Sequence, residues 1–162
     1  MPASDRQRIE QASWFAVVEA YEKCGRLYAA MLDELSLTVA QYDALIVVRS
    51  LADEATPRAI AERLLVTRGN VTGLLRRLQD NGLLSTEKHP TDARSFLCHL
   101  TDEALRRLKL ADKAASEFIR QQLAPFDSNA LSHLERDMKR MSQHLDSMQP
   151  TKIAADAKQE SS

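Results

Sequence analysis

The chain has 162 residues, of which 44% are hydrophobic and 28% are charged, enough for one domain with a buried core. Its 4 glycines, set among many alanine, leucine, arginine and glutamate residues, favour a mostly helical protein. We expect no membrane partner, because no apolar run approaches the roughly 20 residues that span a bilayer and no signal-like leader opens the sequence. Cys24 and Cys98 form neither a metal-type nor a redox-type motif, which favours a reducing cytoplasm.

The formal net charge of −1 argues against a general polyanion-binding protein, but the charge is unevenly distributed. Residues 57–101 contain seven lysines and arginines and four acids, a balance of +3, so the remaining residues sum to −4. A basic block within an acidic chain favours a local phosphate-binding face, because binding depends on the patch and not on the total charge.

Helical periodicity begins at Ile9, after a polar segment that we expect to be a loose lead-in. Apolar residues then recur three and four apart along one long helix, and such a seam needs another helix to cover it. These residues are Trp14, Val17, Tyr21, Cys24, Tyr28, Met31 and Leu35. Residues 36–38 break the helix. Thr38 and Gln41 then form a capping box, which starts a second helix that runs to about Leu51.

Two shorter helices follow a polar loop at 53–55. Thr56 caps the first, with Pro57 at its first helical position, where a missing N–H costs nothing. Thr67 is the expected cap of the second, and Gly82 ends it in the left-handed conformation. The helix that Thr67 caps carries a stripe for burial at i, i+3, i+4 and i+7. The stripe consists of Val71, Leu74, Leu75 and Leu78.

The opposite face of the helix that Thr67 caps is polar and suited to DNA. Its residues are Thr67, Arg68, Gly69, Asn70, Thr72, Gly73, Arg76 and Arg77. A helix-turn-helix presents the first residues of its second helix to base edges in the major groove, where Asn pairs with adenine and Arg with guanine. Arg76 and Arg77 lie further along and suit phosphates, and one of them is also within reach of Asp80. The alternative is a solvated helix surface, against which the following hairpin argues.

Two short strands at 83–88 and 95–100 enclose a charged tip and predict a hairpin. The tip residues that we expect near DNA are Lys88, His89, Asp92, Arg94 and Ser95. The turn can project into a minor groove, whose narrow A·T-rich form attracts arginine. Asp92 would repel phosphate, so we assign it to orienting Arg94. Cys98 shares an apolar strand face with Phe96 and Leu100, which favours packing over chemistry.

Two further helices complete the chain. Thr101 starts the first, and Pro125 ends it near Ala124. The second carries a strict heptad seam, which is typical of a helix that grips another helix. The seam consists of Leu131, Leu134, Met138, Met141, Leu145 and Met148. Seams at both ends exceed what a winged helix of roughly 70 residues covers, so we predict a twofold dimer, with an intramolecular bundle as the alternative.

The run from Thr38 to Ala104 resembles the MarR family of winged helix-turn-helix transcriptional regulators. The resemblance rests on L-T-x-x-Q-Y at 37–42, I-A-x-x-L at 60–64, T-R-x-x-V-T-x-L-L-x-x-L-x-x-x-G-L at 67–83, and D-x-R followed by L-T in the wing. It implies a homodimer that represses by binding a pseudo-palindromic operator in double-stranded DNA. It also implies release of DNA by a small phenolic or other aromatic effector. Cys24 lies closer to the L-T-x-x-Q segment than the cysteine of peroxide-sensing members, so redox sensing is not carried over.

The resemblance implies a mainly α fold in which residues 37–101 form the winged helix-turn-helix. Residues 1–36 and 102–149 would be dimerisation helices, and residues 150–162 have no periodic apolar face and would be a disordered tail. The family's usual effector pocket lies between the first, second and fifth helices. Trp14, Tyr21, Tyr28 and Tyr42 could line it, although we favour their being core aromatics at helical spacing.

Other function classes find little in the sequence. No nucleophile–base set, phosphate loop or zinc-hydrolase motif is present, so we expect no enzyme and no cofactor. His133 and His144 are about 16 Å apart along a helix, too far to share one metal ion. The remaining alternative is a helical protein that binds a small molecule or a protein partner and no longer reads DNA, which the low total charge favours.

Overall fold

Helices separated by one small hairpin make up the computed structural model, which describes residues 3–92, 94–151 and 155. The elements are α1 (Ala3–Asp33), α2 (Val39–Leu51), α3 (Pro57–Leu64), α4 (Arg68–Asp80), β1 (Leu84–Lys88), β2 (Phe96–Leu100), α5 (Asp102–Leu123) and α6 (Ser128–Ser147). The mainly helical winged-helix architecture expected from the sequence is confirmed. The chain divides into two compact units, Met1–Phe118 and Ile119–Ser162.

The first helix is longer than the sequence suggested. It begins at Ala3, so the expectation of a loose lead-in before Ile9 is wrong. Polar residues continue the helix here because Asp5 lies in the first turn, where a carboxylate favours the helix dipole, and Arg6 contacts Glu10 at 2.7 Å one turn later. The error came from equating polarity with irregular structure.

The second helix begins as predicted. The Thr38 hydroxyl accepts the N–H of Gln41 at 3.2 Å, and the Gln41 side chain accepts the N–H of Thr38 at 2.9 Å, which confirms the capping box. The helix ends at Leu51, also as predicted. The polar segment after it is not an open loop, since Ala52–Glu54 forms one turn of 3₁₀-helix.

Threonine caps set both helices of the helix-turn-helix. The Thr56 hydroxyl accepts the N–H of Ala59 at 3.2 Å, and the Thr67 hydroxyl accepts that of Asn70 at 3.4 Å. Gly82 follows α4 with a φ of +67°, the left-handed conformation predicted for it. The boundaries of α3 and α4 are therefore fixed by local chemistry that the sequence carries openly.

The wing is an antiparallel hairpin in which Leu84 lies opposite Leu100 and Lys88 lies opposite Phe96. Each strand starts one residue later than predicted. The N–H of Cys98 donates to the carbonyl of Ala55 at 2.8 Å, which attaches the hairpin to the segment before α3. Cys98 is fully buried, and burial raises the pKa of its thiol to about 11, so its role in packing is confirmed.

One hydrophobic core holds the winged helix together. It combines the stripe of α4 with buried residues of α2 and α3, the end of α1, the hairpin and the first half of α5. Its largest fully buried side chains are Leu32, Leu37, Leu45, Ile60, Leu75, Leu78, Leu83, Leu108, Val71 and Cys98. Burial of a leucine of this kind stabilises a fold by about 2 kcal/mol. The core therefore fixes which way α4 faces.

Thr101 joins three parts of this unit. Its N–H donates to the carbonyl of Leu83 at 3.3 Å and its hydroxyl donates to the carbonyl of Gly82 at 2.8 Å. The same hydroxyl accepts the N–H of Ala104 at 3.2 Å and so caps α5, as predicted. The end of α4, the base of the hairpin and the start of α5 thus meet at one side chain.

In the second unit, α6 is capped by Asp127, whose carboxylate accepts the N–H of Ala130 at 2.8 Å. The heptad seam of α6 is exposed in the single chain from Leu134 onward, and Leu131 is half-buried. The exposed fractions are 39% for Leu134, 38% for Met138 and Met141, 56% for Leu145 and 42% for Met148. Most of the tail predicted to be disordered, 150–162, lies outside the described residues. Among the described residues, no helix is long and apolar enough to cross a membrane.

Leu65 ends α3 with a φ of +56°, a left-handed conformation that is unfavourable for a residue with a Cβ atom. Its side chain is 92% exposed, so little packing is lost on truncation. We expect Leu65→Gly to raise the free energy of unfolding by about 1 kcal/mol, measured by urea denaturation at fixed protein concentration. Leu65→Ala keeps the Cβ atom and is the control. Equal stability of the two variants would contradict the assignment of strain to this backbone.

Candidate nucleic-acid interface

The polar face of α4 is presented to solvent along its whole length. All eight residues predicted to contact DNA on this helix are exposed, while Val71, Leu74, Leu75 and Leu78 of the opposite stripe are buried. The cap at Thr67 satisfies the N–H of Asn70. The N–H groups of Arg68 and Gly69 have no hydrogen-bond partner among the described residues. These two donors at a helix start suit an anionic group.

Two side chains on this face have defined hydrogen-bonding capacity. The Thr72 hydroxyl donates to the carbonyl of Arg68 at 2.9 Å, so toward an outside partner it offers an acceptor and a methyl group. The Asn70 amide makes no side-chain hydrogen bond within the described part of the chain, and it keeps both its donor and acceptor capacity. That capacity is what the adenine edge in a major groove requires.

The arginines of the recognition helix and the wing differ in whether an acidic side chain pairs with them. Arg76 lies 3.8 Å from Asp80, which confirms that one of the two later arginines reaches this acid. The Arg76 side chain is 83% exposed, and an ion pair of this kind is weak, so Arg76 can exchange partners. Arg68, Arg77 and Arg94 make no ion pair with any described residue. Three free guanidinium groups therefore accompany one weakly held one.

A cleft of about 440 Å³ lies between the start of α3, the start of α4 and the wing. Its lining residues are Thr56, Pro57, Arg58, Arg68, Thr72, His89, Asp92, Arg94, Ser95 and Phe96. The cleft brings together residues that the sequence placed in two separate groups, one on the recognition helix and one on the wing. The other predicted site residues lie outside the cleft, and these are Thr67, Gly69, Asn70, Gly73, Arg76, Arg77 and Lys88.

The sequence reasoning missed Arg58 as a member of this site. Arg58 follows the capping pair Thr56 and Pro57, and its guanidinium donates to Glu62 at 2.8 Å on the exposed surface of α3. The local signal was present, since a basic residue in the first turn of a helix opposes the helix dipole. What was absent from the sequence was the position of the wing, which brings Arg58 and Arg94 to one cleft.

Asp92 orients Arg94 through the backbone. Its carboxylate accepts the N–H of Arg94 at 3.0 Å, and its carbonyl accepts the N–H of Ser95 at 3.0 Å. No ion pair joins the Asp92 carboxylate to the Arg94 guanidinium among the described residues. Asp92 therefore orients Arg94 by holding its backbone N–H and not its side chain, and the Arg94 guanidinium remains able to contact DNA.

The sequence profile of the MarR family matches residues 35–95, the segment that contains the cleft and the recognition helix. Over this segment the chain is similar to the MarR family. A regulator of organic hydroperoxide resistance from Bacillus subtilis strain 168 is 28% identical over 109 residues, which cover 67% of this chain and 74% of that protein. The proteins that this chain resembles in sequence are transcriptional regulators. That Cys24 has no redox role stays a prediction.

Solved MarR-family structures share the fold. A cysteine-to-serine mutant of MarR from E. coli, complexed with operator DNA, matches with a TM-score of 0.68 and 24% identity over 78% of this chain and 90% of the other. An organohalide-sensing regulator, in its 2,4-dichlorophenol-bound form, matches with a TM-score of 0.71 and 18% identity over 84% of this chain and 80% of the other. At these identities the likeness establishes the fold alone.

The four aromatic residues considered for an effector pocket separate into two groups in the structure. Trp14 is 61% exposed and Tyr21 is 79% exposed, so the expectation that they are core aromatics is wrong for this pair. Trp14 instead lies edge-on to Phe15 at 4.9 Å. Tyr28 and Tyr42 are half-buried and lie edge-on to each other at 6.4 Å, and both pack against the core.

A polar cluster adjoins these two tyrosines between α2 and α5. The Tyr42 hydroxyl donates to Asp112 at 3.0 Å and the Arg49 guanidinium donates to the same carboxylate at 2.7 Å. The bond from Arg49 lowers the pKa of Asp112. Burial, followed by the bond to Asp112, raises the pKa of Tyr42. Sequence patterns could not reveal this cluster, because Arg49 and Asp112 are 63 residues apart.

A metal site built from side chains takes at least three histidine, cysteine or acidic ligands. Within the described ranges, no three such side chains form a group that could hold a metal ion.

Proposed function

We propose that this chain is a MarR-family regulator, a sequence-specific repressor that binds a pseudo-palindromic operator as a homodimer and releases it when a small molecule binds. The observation that supports this most is the exposed base-reading face of α4, which stands beside a cleft with Arg58, Arg68 and Arg94 on its walls. We assign the chain no catalytic activity, in keeping with its regulator relatives.

The contacts that we propose divide by groove. The start of α4 enters a major groove, where Arg68 and Asn70 read base edges and the Thr72 methyl meets thymine. Arg94 at the tip of the wing enters the adjacent minor groove. Backbone phosphates between the grooves bind in the cleft, where Arg58 and the free N–H group of Arg68 hold them.

The alternative function is a helical protein that binds a small molecule or a protein partner and no longer reads DNA. Its support is the net charge of −1. Against it stand Arg68 and Arg94, which line one cleft and make no ion pair with any described residue, because a surface that meets no anion has no need of uncompensated cations in one place.

The homodimer is proposed from exposed apolar residues at both ends of the chain. On α1, Trp14, Phe15 and Tyr21 are each more than half exposed. On α6 and the residue that follows it, the heptad seam is exposed from Leu134 to Met148. A second copy of the chain supplies matching helices for both surfaces and places two recognition helices on successive half-sites about 34 Å apart.

The effector is proposed to act at the cluster of Tyr28, Tyr42, Arg49 and Asp112. A small aromatic molecule with a phenol or acid group can pack on the two rings and compete for Arg49. The 2,4-dichlorophenol of the organohalide-sensing relative gives an example of this ligand class in the fold.

Arg94 and Asn70 should differ in what their loss does to DNA binding. Arg94→Ala removes a backbone or minor-groove contact, so binding to every sequence should weaken and the salt dependence should become less steep. Asn70→Ala removes a base contact worth about 1–3 kcal/mol, so preference should relax at particular positions. The measurement is fluorescence anisotropy with duplexes from the upstream region of its gene, over a range of salt concentrations.

The matched control for these variants is Lys109→Ala, which removes an exposed cation from α5 outside the cleft. Its affinity and salt dependence should equal those of the native protein. If neither Arg94→Ala nor Asn70→Ala differs from this control, the chain does not read DNA in the manner proposed.

Gly73 should show opposite effects on stability and on binding. It lies inside α4, where glycine costs about 1 kcal/mol relative to alanine, and a Cβ atom there would meet nothing within 4 Å. Gly73→Ala should therefore raise the unfolding midpoint in urea, while the added methyl group holds DNA away and weakens binding in the anisotropy assay. Stronger stability together with unchanged affinity would show that no close approach occurs at Gly73.

Charge placed in the α6 seam should dissociate the dimer. Met141→Asp buries a carboxylate in the proposed interface, so light scattering after size-exclusion chromatography should show a monomer, and affinity for a two-half-site duplex should fall. Gln143→Asp adds the same charge on the opposite side of the heptad and should leave the dimer intact. A monomeric native chain, or a dimer that tolerates Met141→Asp, would place the interface elsewhere.

A further inference from the structure

The imidazole of His89 closes the turn at the tip of the wing. Its Nδ1 atom accepts the backbone N–H of Thr91 at 3.3 Å and that of Asp92 at 3.1 Å. An asparagine side-chain oxygen makes the same kind of contact in an Asx turn. His89 therefore performs a task usual for asparagine, with a ring nitrogen in place of an amide oxygen, and DNA contact does not account for it.

The contact continues along the turn to Arg94. Asp92, whose N–H the imidazole holds, accepts the N–H of Arg94 through its carboxylate at 3.0 Å. The N–H of His89 in turn donates to the carbonyl of Ser95 at 3.2 Å and closes the hairpin. The backbone of Arg94 thus depends on two successive side-chain acceptors, the first an imidazole and the second a carboxylate.

We propose that His89 is a positioning residue for Arg94 and that DNA binding by the wing requires its neutral imidazole. This proposal rests on the proposed function. A neutral imidazole has one acceptor nitrogen, whereas an imidazolium has none, and histidines ordinarily change charge between about pH 5 and 8. Protonation of Nδ1 replaces the acceptor with an N–H donor, which cannot accept the two backbone N–H groups of the turn. The turn then opens and Arg94 loses its direction, so affinity is present at higher pH and lost as pH falls.

Charged groups face the imidazole from three elements. Asp92 and Arg94 belong to the wing, Arg58 belongs to α3 and Arg68 belongs to α4, and all four line the cleft with His89. Lys88 precedes it in the chain. A protonated imidazole also adds one positive charge to a face that meets phosphate, which by itself strengthens binding. Opening of the turn weakens DNA binding, whereas the added positive charge strengthens it. The direction in which affinity changes with pH therefore shows which of the two effects is larger.

The test compares affinity for the upstream duplex at about pH 7.5 and about pH 5.5 at constant ionic strength. The native chain should bind roughly fivefold more weakly at the lower pH, the effect of one ordinary hydrogen bond. His89→Asn keeps an acceptor in the same place and does not titrate, so it should bind like the native chain at the higher pH and keep that affinity at the lower. His89→Ala should bind weakly at both.

His99→Gln is the matched control, because it removes the other histidine of the wing, whose Nε2 lies 3.7 Å from Glu87. The pH response should persist in this variant. Identical pH profiles for the native chain and His89→Asn would overturn the proposal, as would tighter native binding at the lower pH. If the pH dependence of affinity disappears in His99→Gln and persists in His89→Asn, the effect belongs to His99, and this result would also overturn the proposal.

A double-mutant comparison tests whether His89 acts through Arg94. In the Arg94→Ala background, His89→Ala should cause no further loss of affinity at the higher pH, because the residue that it positions is absent. Additive losses would mean that His89 contacts DNA by itself, and the positioning role would be wrong.

The contact can also be tested without DNA. In the free protein, the amide NMR signals of Thr91 and Asp92 should shift together with protonation of the His89 ring, and in His89→Asn they should not. If these signals do not follow the ring, the proposal fails whatever the DNA result. If they follow it but no duplex binds at any pH, the proposed function fails and the turn contact stands.

Discussion

The rotational setting of α4 about its own axis is the constraint on which the rest of this structure depends. Four side chains of one stripe, Val71, Leu74, Leu75 and Leu78, are 8% exposed or less. Exposing any one leucine by rotating the helix costs about 2 kcal/mol, and rotation exposes several at once. The same burial therefore aims Asn70 and Thr72 outward, and α2, α3 and β1 pack against α4 and hold the stripe in place.

The wing is positioned by fewer and weaker contacts. Its base is fixed to the core through Thr101 and Cys98, but its tip is held by hydrogen bonds to His89 and Asp92 on an exposed turn. Each such bond contributes about 1 kcal/mol, so the tip is the part of the interface most easily altered. A rigid recognition helix beside an adjustable wing allows solution conditions to change DNA affinity without disturbing the core.

Several residues in or near the proposed DNA-binding surface lower the local stability of the fold. Leu65 adopts a left-handed conformation with an almost fully exposed side chain, and Gly73 weakens the helix that it belongs to. Arg58 lies at the start of α3, where its charge opposes the helix dipole. Local rules of this kind are usually broken where function requires it, and two of these three residues belong to the proposed DNA-binding surface.

Local chemistry in the sequence determined the helix boundaries, because a cap depends on residues within one turn of each other. Thr38, Thr56, Thr67, Gly82 and Thr101 each act as their neighbours predicted. Periodicity likewise determined the buried stripe of α4 and the packing of Cys98. Polarity alone misled at the start of α1, where charged residues extend the helix, and aromatic spacing misled at Trp14 and Tyr21, which the single chain leaves exposed. Only the tertiary structure brought Arg58 to Arg94 and joined Arg49 to Asp112, because these contacts depend on where separate elements lie in space. The contacts of His89 with Thr91 and Asp92 are local, but they depend on the direction of the His89 side chain. No pattern within a single element records either of these.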